Sequence, residues 1–366
     1  MRRNILVFVI PQSMTRECTG VGTFVKGALR GLAYAGREVA LAASAKDYAR
    51  SFGLLDERTQ ALPAVTFKKS WRLEQELWAL NRGVKAAELW PPTDVIYCPF
   101  ETVVSTGGMP LVVSIYDVAQ LELGLRHEAG FARRYAAKYV RLRLAERRAD
   151  YIHTPSSFSA ERIAHMFPRL ESRIRIIPGG VDVRLPRVGD DRCPAERDPN
   201  LVMLPGGLSY RKNGDLIRRV WQMVHVAVPR AQLVVTGPVF AEYQDVLELP
   251  GVVYRGFVRE ADLACLYQRA GLVWYPSRYE GFGFPVLEAM ASGAPLLASR
   301  AGAIPEVAGS AAVLAAPESA EAHSDVIIQH LRGGFDWRDV LAAGPLQLAR
   351  FSCEAFGAAF GALVDS

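Results

Sequence analysis

The stretch Tyr279-Glu280-Gly281-Phe282-Gly283-Phe284-Pro285-Val286-Leu287-Glu288-Ala289-Met290 decides how the second half of this chain folds. Residues 272–275 before it are a short apolar run of the kind that a buried strand carries. Pro285 suits the first turn of a helix, where a missing N–H is no loss. Residues 280–284 are therefore a loop between a strand and a helix. Working outward, strand candidates at 201–204, 232–236, 252–254 and 295–298 are separated by helical patterns. The first half has the same grammar, with strands expected at 4–10, 38–42, 94–98, 111–115, 150–154 and 174–177 and a helix at 21–35. Such alternation predicts α/β architecture, two Rossmann-like domains with parallel sheets covered on both faces.

Pro178-Gly179-Gly180-Val181-Asp182 and then a polar stretch at 188–200, with Asp190, Asp191, Pro194 and Pro199, read as the connection between them. The expected division is 1–182 and 183–349, with a closing helix at about 350–366 packing back on the first domain. Between 58 and 92, Trp71, Leu73, Leu77 and Leu80 predict one amphipathic helix. A chain of 366 residues, half apolar and 22% charged, has ample core for two domains. Its net charge of +5 falls short of the footprint of a dedicated nucleic-acid binder. Cys18, Cys98, Cys193, Cys265 and Cys353 contain no C-x-x-C pair, which argues against a disulfide framework or cysteine zinc site and for a reducing compartment. Residues 5–10, behind Arg2 and Arg3, are shorter than a secretory apolar core and read as the first strand, so a cytoplasmic location is expected.

Three segments could carry chemistry. Thr19-Gly20-Val21-Gly22-Thr23-Phe24 opens a helix, and glycines at a helix N-terminus can present amides to an anion. The dinucleotide fingerprint fails because Val25 stands at its third glycine, and the P-loop fails because Ala28 follows Gly27. Glycines that merely turn the chain explain Gly20 and Gly22 equally well. Arg211-Lys212-Asn213 follows Gly206-Gly207 at the C-terminal end of a strand, where open α/β sheets bind ligands. A guanidinium fork and an ammonium there could neutralise a diphosphate, although such a pair is more often solvated. In the opening stretch, Glu280 could accept from sugar hydroxyls, Gly281, Phe282, Gly283 and Phe284 could turn amides to phosphate or sugar oxygens, and Glu288 could take a ribose diol. The plainer reading has Glu280 capping the loop and Glu288 solvated.

Glu280 and Glu288 form an E-x7-E motif. Together with the glycine-rich first loop, Arg211-Lys212-Asn213 and Gly256-Phe257-Val258 in that order, it resembles glycosyltransferase family 4 over most of the chain. The resemblance implies a GT-B architecture, two Rossmann-like domains facing across a cleft, and transfer from a nucleotide-diphosphate sugar with retention at the anomeric carbon. It gives Arg211 and Lys212 the departing diphosphate and Glu280 a catalytic place at the sugar. Gly20, Gly22, Gly207, Phe257, Val258, residues 281–284 and Glu288 become donor-binding. It implies no cofactor and no metal; the sequence holds no D-x-D at a strand end, and His127, His153, His165, His225, His323 and His330 lack ligand spacing. GDP-mannose is the favoured donor by family frequency, with UDP-hexoses next, and a glycan or lipid-linked acceptor in cell-envelope polysaccharide synthesis is expected. Oligomeric state has no sequence signature here. Two departures stand out: Tyr116-Asp117 replaces the usual His-Asp, and Gly207 stands where many members have arginine. Tyr116 could position a sugar hydroxyl and Asp117 the acceptor. A sugar-nucleotide 2-epimerase, or a sugar-nucleotide-binding subunit without turnover, are the alternatives.

The cations of residues 126–148 include Arg126, Arg133, Arg134, Lys138, Arg141 and Arg143 and outnumber Glu128 and Glu146, while Phe131, Tyr135, Tyr139 and Leu142 keep a helical stripe. A basic amphipathic helix suits an anionic membrane surface, making the protein peripheral on its cytoplasmic face. A solvated helix covering the sheet is the ordinary alternative.

Overall fold

The computed structural model describes residues 3–10, 20–51, 57–124, 131–180, 193 and 196–366. Cys18, Thr19, Arg126, His127, Glu128, Val181, Asp182 and most of the expected connection (188–192, 194 and 195) lie outside the described residues. Two compact units emerge, Met1–Val181 with Phe351–Ser366, and Asp182–Arg350.

The first unit holds seven strands: β1 Ile5–Phe8, β2 Val39–Ser44, β3 Ala64–Phe67, β4 Val95–Cys98, β5 Leu111–Ser114, β6 Tyr151–Thr154 and β7 Ile174–Ile176. They form one parallel sheet in the order β3-β2-β1-β4-β5-β6-β7. The four residues of each of β1, β4 and β5 are all buried, which is why those runs are apolar without alternation. β3 was not anticipated: it is an edge strand with only Phe67 fully buried, so its sequence lacks a continuous apolar signal. The anticipated helix is Trp71–Ala79, but its inner face is Trp71, Glu74 and Trp78. Leu73 and Leu80, expected on the apolar stripe, are exposed. Glu74 can be buried because its Oε2 accepts from the Val84 amide at 3.1 Å.

The Gly20–Tyr34 helix packs on the Cys353–Asp365 helix. A Cβ at Gly357 would collide with the Gly31 carbonyl, so the two backbones approach as only glycine permits. Arg37 closes the far end with a bidentate pair to Asp365, at 2.6 and 2.5 Å. Beneath lies a buried polar chain. Tyr97 Oη is 2.9 Å from Ser114 Oγ, which is 2.8 Å from His153 Nδ1, and His153 Nε2 is 2.8 Å from the Ile177 carbonyl. A carbonyl only accepts, so Nε2 carries the proton, Nδ1 accepts from Ser114, and Ser114 accepts from Tyr97.

The second unit holds β8 Asp198–Leu204, β9 Gln232–Thr236, β10 Val252–Gly256, β11 Ala270–Tyr275, β12 Leu296–Ser299 and β13 Val313–Ala315. Its parallel sheet runs β10-β9-β8-β11-β12-β13. The three-residue β13 also escaped sequence reading. The Gly214–Ala227 helix lays Leu216, Ile217, Val220, Trp221 and Val224 on this sheet. Strand order reverses between β8 and β11, so the loops leaving those strands diverge around a crevice, the usual ligand position in open α/β sheets.

Burial lowers the His153 pKa to about 4, although the Ile177 carbonyl favours the charged ring. The folded value lies below the unfolded value of 6.5, so the stability from a neutral His153 is complete above pH 6.5 and is lost as pH falls toward 4. Denaturant unfolding should show roughly 3 kcal/mol of this loss, and His153→Gln a shallower slope. Unchanged wild-type stability from pH 6.5 down to 4 would rule out the neutral ring.

Candidate active site

The loop after β8 carries Arg211, Lys212 and Asn213, and the loop after β11 carries Arg278 and Glu280. They are fastened together through the backbone, the Arg278 amide donating to the Arg211 carbonyl at 2.9 Å. Asn213, in the left-handed region at φ 66°, caps the Gly214–Ala227 helix and donates Nδ2 to the Pro276 and Pro317 carbonyls at 3.0 and 2.6 Å. Arg278 Nε returns to Asn213 Oδ1 at 2.7 Å. On the other side, the Ala303 amide donates to the Glu280 carbonyl at 2.9 Å, and a Cβ on Gly302 would come within 2.6 Å of that oxygen.

This frame brings Arg211, Lys212 and Glu280 into one cluster. Glu280 Oε2 accepts from Arg211 Nη1 at 2.7 Å, and Oε1 accepts from Lys212 Nζ at 2.8 Å. Lys212 Nζ also donates to Tyr275 Oη at 2.9 Å and stands 4.6 Å from the centre of the Tyr275 ring. Lys212 and Glu280 are only 8% and 6% exposed, so their pair is poorly screened by water. Burial pushes the Glu280 carboxyl up, but the Arg211 and Lys212 charges win and hold it at about 2. Burial lowers the Lys212 ammonium to about 8 despite Glu280. Tyr275 and Arg278 went unnoticed in the sequence, and Asn213 was quoted there with its motif but without a role. Tyr275 read as one more apolar strand residue, although its place at the strand's C-terminal end was the available signal.

Glu288 lies on the Phe284–Ala291 helix and is half-buried rather than solvated. Burial raises its pKa, with Tyr267 and Lys212 opposing and Glu260 adding to the rise. Gly283, at φ 109°, caps that helix in a conformation that favours glycine, and Gly281 and Phe282 are buried beside it. Gly207 has φ 80°, and a Cβ there would strike the Pro238 carbonyl, which the Leu208 amide holds at 3.0 Å. No larger residue fits without moving that backbone. Phe257 and Val258 sit apart from the cation cluster, on the wall of a cavity of about 420 Å³ shared with Arg255, Arg259 and Arg269.

The remaining expected residues lie in the first unit. Gly20 is the exposed first residue of its helix and Gly22 is buried in the first turn. Phe24, one turn on, packs edge-on to Tyr116 at 4.9 Å. The Tyr116 hydroxyl donates to the Pro99 carbonyl at 2.6 Å, and burial raises its pKa well above 10, so it is a neutral phenol whose proton is already engaged. Asp117 Oδ1 accepts from the Ala119 amide at 3.0 Å and starts the Ala119–Glu122 helix.

The basic helix, Phe131–Arg148, corrects the expectation of five cations aimed at a membrane. Lys138 is buried in an ion pair with Glu101, which also draws Arg141 to 3.8 Å, and Arg143 pairs with Glu146 at 2.5 Å. Counting cations along the segment missed Glu101, a carboxylate supplied from 37 residues upstream of Lys138. The exposed residues of the helix are Ala132, Arg133, Arg134, Ala136, Ala137, Tyr139, Val140 and Arg147. Among the described residues no helix is long and apolar enough to cross a membrane.

The family model for Glycosyltransferase Family 4 matches residues 19–185, and that for Glycosyl transferases group 1 matches residues 199–332. The two matches, one in each unit, make this a family 4-like glycosyltransferase. Over 102 residues it is 43% identical to the O-antigen chain mannosyltransferase B of Escherichia coli, covering 28% of this chain and 26% of that one. Over 159 residues it is 34% identical to the MMP alpha-(1->4)-mannosyltransferase of Mycolicibacterium hassiacum, covering 43% and 38%. These matches thus span only about a quarter to two fifths of the length of the curated relatives. The structure of Anabaena HepE in complex with UDP-glucose aligns over 100% of both chains with a TM-score of 0.72 at 17% identity. Sucrose-phosphate synthase from Thermosynechococcus elongatus aligns over 100% of this chain and 98% of that one, with a TM-score of 0.73 at 19% identity. Both likenesses concern the fold, and this family 4-like chain has the GT-B fold.

Lys212 in the unliganded protein should titrate near pH 8 when its side-chain resonances are followed by NMR. Because Glu280 supports the charge, Glu280→Gln should move that midpoint lower still. A midpoint at the ordinary 10.5 would mean that the ammonium is hydrated and not held in the cluster.

Proposed function

We propose that the protein is a retaining hexosyltransferase that needs no metal, moving a sugar from a nucleoside-diphosphate donor to a glycan or lipid-linked acceptor in cell-envelope polysaccharide synthesis. The observation that carries this reading is the pair of cations, Arg211 and Lys212, fixed at the strand-order reversal of the second sheet and matched to one carboxylate. As the glycosidic bond to the donor breaks, negative charge grows on the departing diphosphate. A guanidinium and a buried ammonium held beside that spot stabilise it, the role that a divalent metal has in other transferases. Glu280, beside them, accepts from hydroxyls of the transferred sugar. Glu288 takes the ribose diol, and the cavity at Phe257 and Val258 takes the base. With Tyr116 a neutral phenol bonded to Pro99, no strong base stands at that position. The acceptor proton then passes to the leaving phosphate, which supports retention.

GDP-mannose is the favoured donor, since two relatives are mannosyltransferases, with UDP-hexoses next. Peripheral membrane contact, if the acceptor is lipid-linked, rests on Arg133 and Arg134 with Val140, a smaller patch than five cations.

Lys212→Ala should lower transfer roughly 30- to 1000-fold, about 2–4 kcal/mol of transition-state stabilisation, in a protein that still melts cooperatively. Activity close to wild type would remove Lys212 from the mechanism. A panel of GDP, UDP, ADP and dTDP sugars, scored by release of free nucleoside diphosphate, identifies the donor. Tight binding without release or transfer, even with cell-envelope lipid extract, would point instead to a sugar-nucleotide-binding subunit.

Turnover should also survive exhaustive EDTA treatment. Loss of activity that magnesium or manganese restores would show that Arg211 and Lys212 are not sufficient for the diphosphate.

A further inference from the structure

Glu280 already takes a hydrogen bond from each of the two cations that the donor reading assigns to the phosphate oxygens. Each of its carboxylate oxygens accepts from one of the two cations, at 2.7 and 2.8 Å. The cations assigned to the donor are therefore already shared with an internal anion. We propose that Glu280 expels the spent nucleoside diphosphate: it yields Arg211 and Lys212 when the intact sugar nucleotide binds, and reclaims them once the sugar has left. This inference rests on the donor reading above.

The frame around the cluster confines the exchange to side chains. The Glu280 backbone is held by the Ala303 amide and crowded by Gly302, and the Arg211 carbonyl is held by the Arg278 amide. The carboxylate can swing, but its loop cannot retreat with it. At 6% exposure, a displaced Glu280 has little water to turn to, and an ionised carboxylate left unpaired in such a place is costly. An intact sugar nucleotide supplies the missing partners, because its sugar hydroxyls can donate to the displaced carboxylate. A nucleoside diphosphate lacks the hydroxyls of the transferred sugar, and its ribose hydroxyls are those assigned to Glu288. It must hold the same two cations against a nearby carboxylate whose remaining neighbours are the neutral hydroxyls of Ser277 and Tyr275. The geometry thus makes Glu280 a determinant of selectivity for substrate over product, in addition to its contact with the sugar.

Calorimetry with GDP, UDP and the corresponding sugar nucleotides, in the absence of acceptor, tests this. Working at about pH 6.5, below the value near 8 of Lys212, keeps the wild-type ammonium charged, and any discharge that the loss of Glu280 causes in the variant would weaken diphosphate binding and so oppose the expected tightening. Wild type should bind the intact sugar nucleotide about five-fold or more tighter than the matching diphosphate, although the diphosphate carries the greater charge. Glu280→Gln should bind the diphosphate about five-fold or more tighter than wild type, and product inhibition should deepen to match. Damage to the site would weaken binding, so tightening cannot come from a structural defect. Unchanged or weaker diphosphate binding by a folded Glu280→Gln protein would overturn the proposal. If the variant does not fold, equal or weaker wild-type binding of the sugar nucleotide than of the diphosphate overturns it. Failure of wild type to bind any of these ligands would overturn the donor reading itself, a result distinct from either.

Discussion

The site depends on one constraint: two cations and one carboxylate, of which Lys212 and Glu280 are nearly out of water, are held together by two loops that leave neighbouring strands. Because β8 and β11 lie side by side at the strand-order reversal, residues 68 apart in sequence, Lys212 and Glu280, come within 2.8 Å. A buried ion pair of this kind is weak evidence for stability, since desolvation offsets much of the attraction. Its value here is in placing charge. The Asn213 cap, the Arg278 clamp and the Gly302 contact all fix the backbones of these loops, so what remains adjustable is how three side chains share their bonds.

The parallel sheets were legible because buried parallel strands are continuous apolar runs, and the glycine, proline and charge punctuation marked the loops between them. β3 and β13 escaped because an edge or three-residue strand has too little buried surface to write such a run. In the Trp71–Ala79 helix the inner face includes Glu74, so hydrophobic periodicity selected Leu73 and Leu80, which are exposed. The lesson is the same at the cation cluster. Arg211, Lys212, Asn213 and Glu280 could be named from motif and position, whereas Tyr275, Arg278 and the capping role of Asn213 could not, since these exist only through contacts made across the fold.

The basic helix shows how far a charge count can mislead. Lys138 turns inward to Glu101, which also draws Arg141, and Arg143 is taken up by Glu146, so of the five expected cations only Arg133 and Arg134 stand fully exposed, with Arg147 further along. The glycine at 207 makes the complementary point. An absent side chain there has a local cause, a positive φ beside the Pro238 carbonyl, and does not by itself indicate a lost activity.

The two units place opposite demands on pH. The first contains a histidine that must stay neutral, because the Tyr97, Ser114 and Ile177 partners specify one tautomer and burial disfavours the ring's charge. Acid therefore acts on that unit as a loss of stability. The second contains a lysine whose charge is useful but disfavoured by burial, with a folded value below the ordinary 10.5. Between the two values the unfolded lysine binds more protons than the folded one, so this lysine's own contribution to stability grows as rising pH discharges the ammonium. At the alkaline end, that contribution and the capacity to hold a diphosphate must then diverge. Loss of function there reflects the missing charge on Lys212, whereas the buried Cys98, Tyr97 and Tyr275, whose pKa values burial raises, make alkali act on stability in the opposite direction.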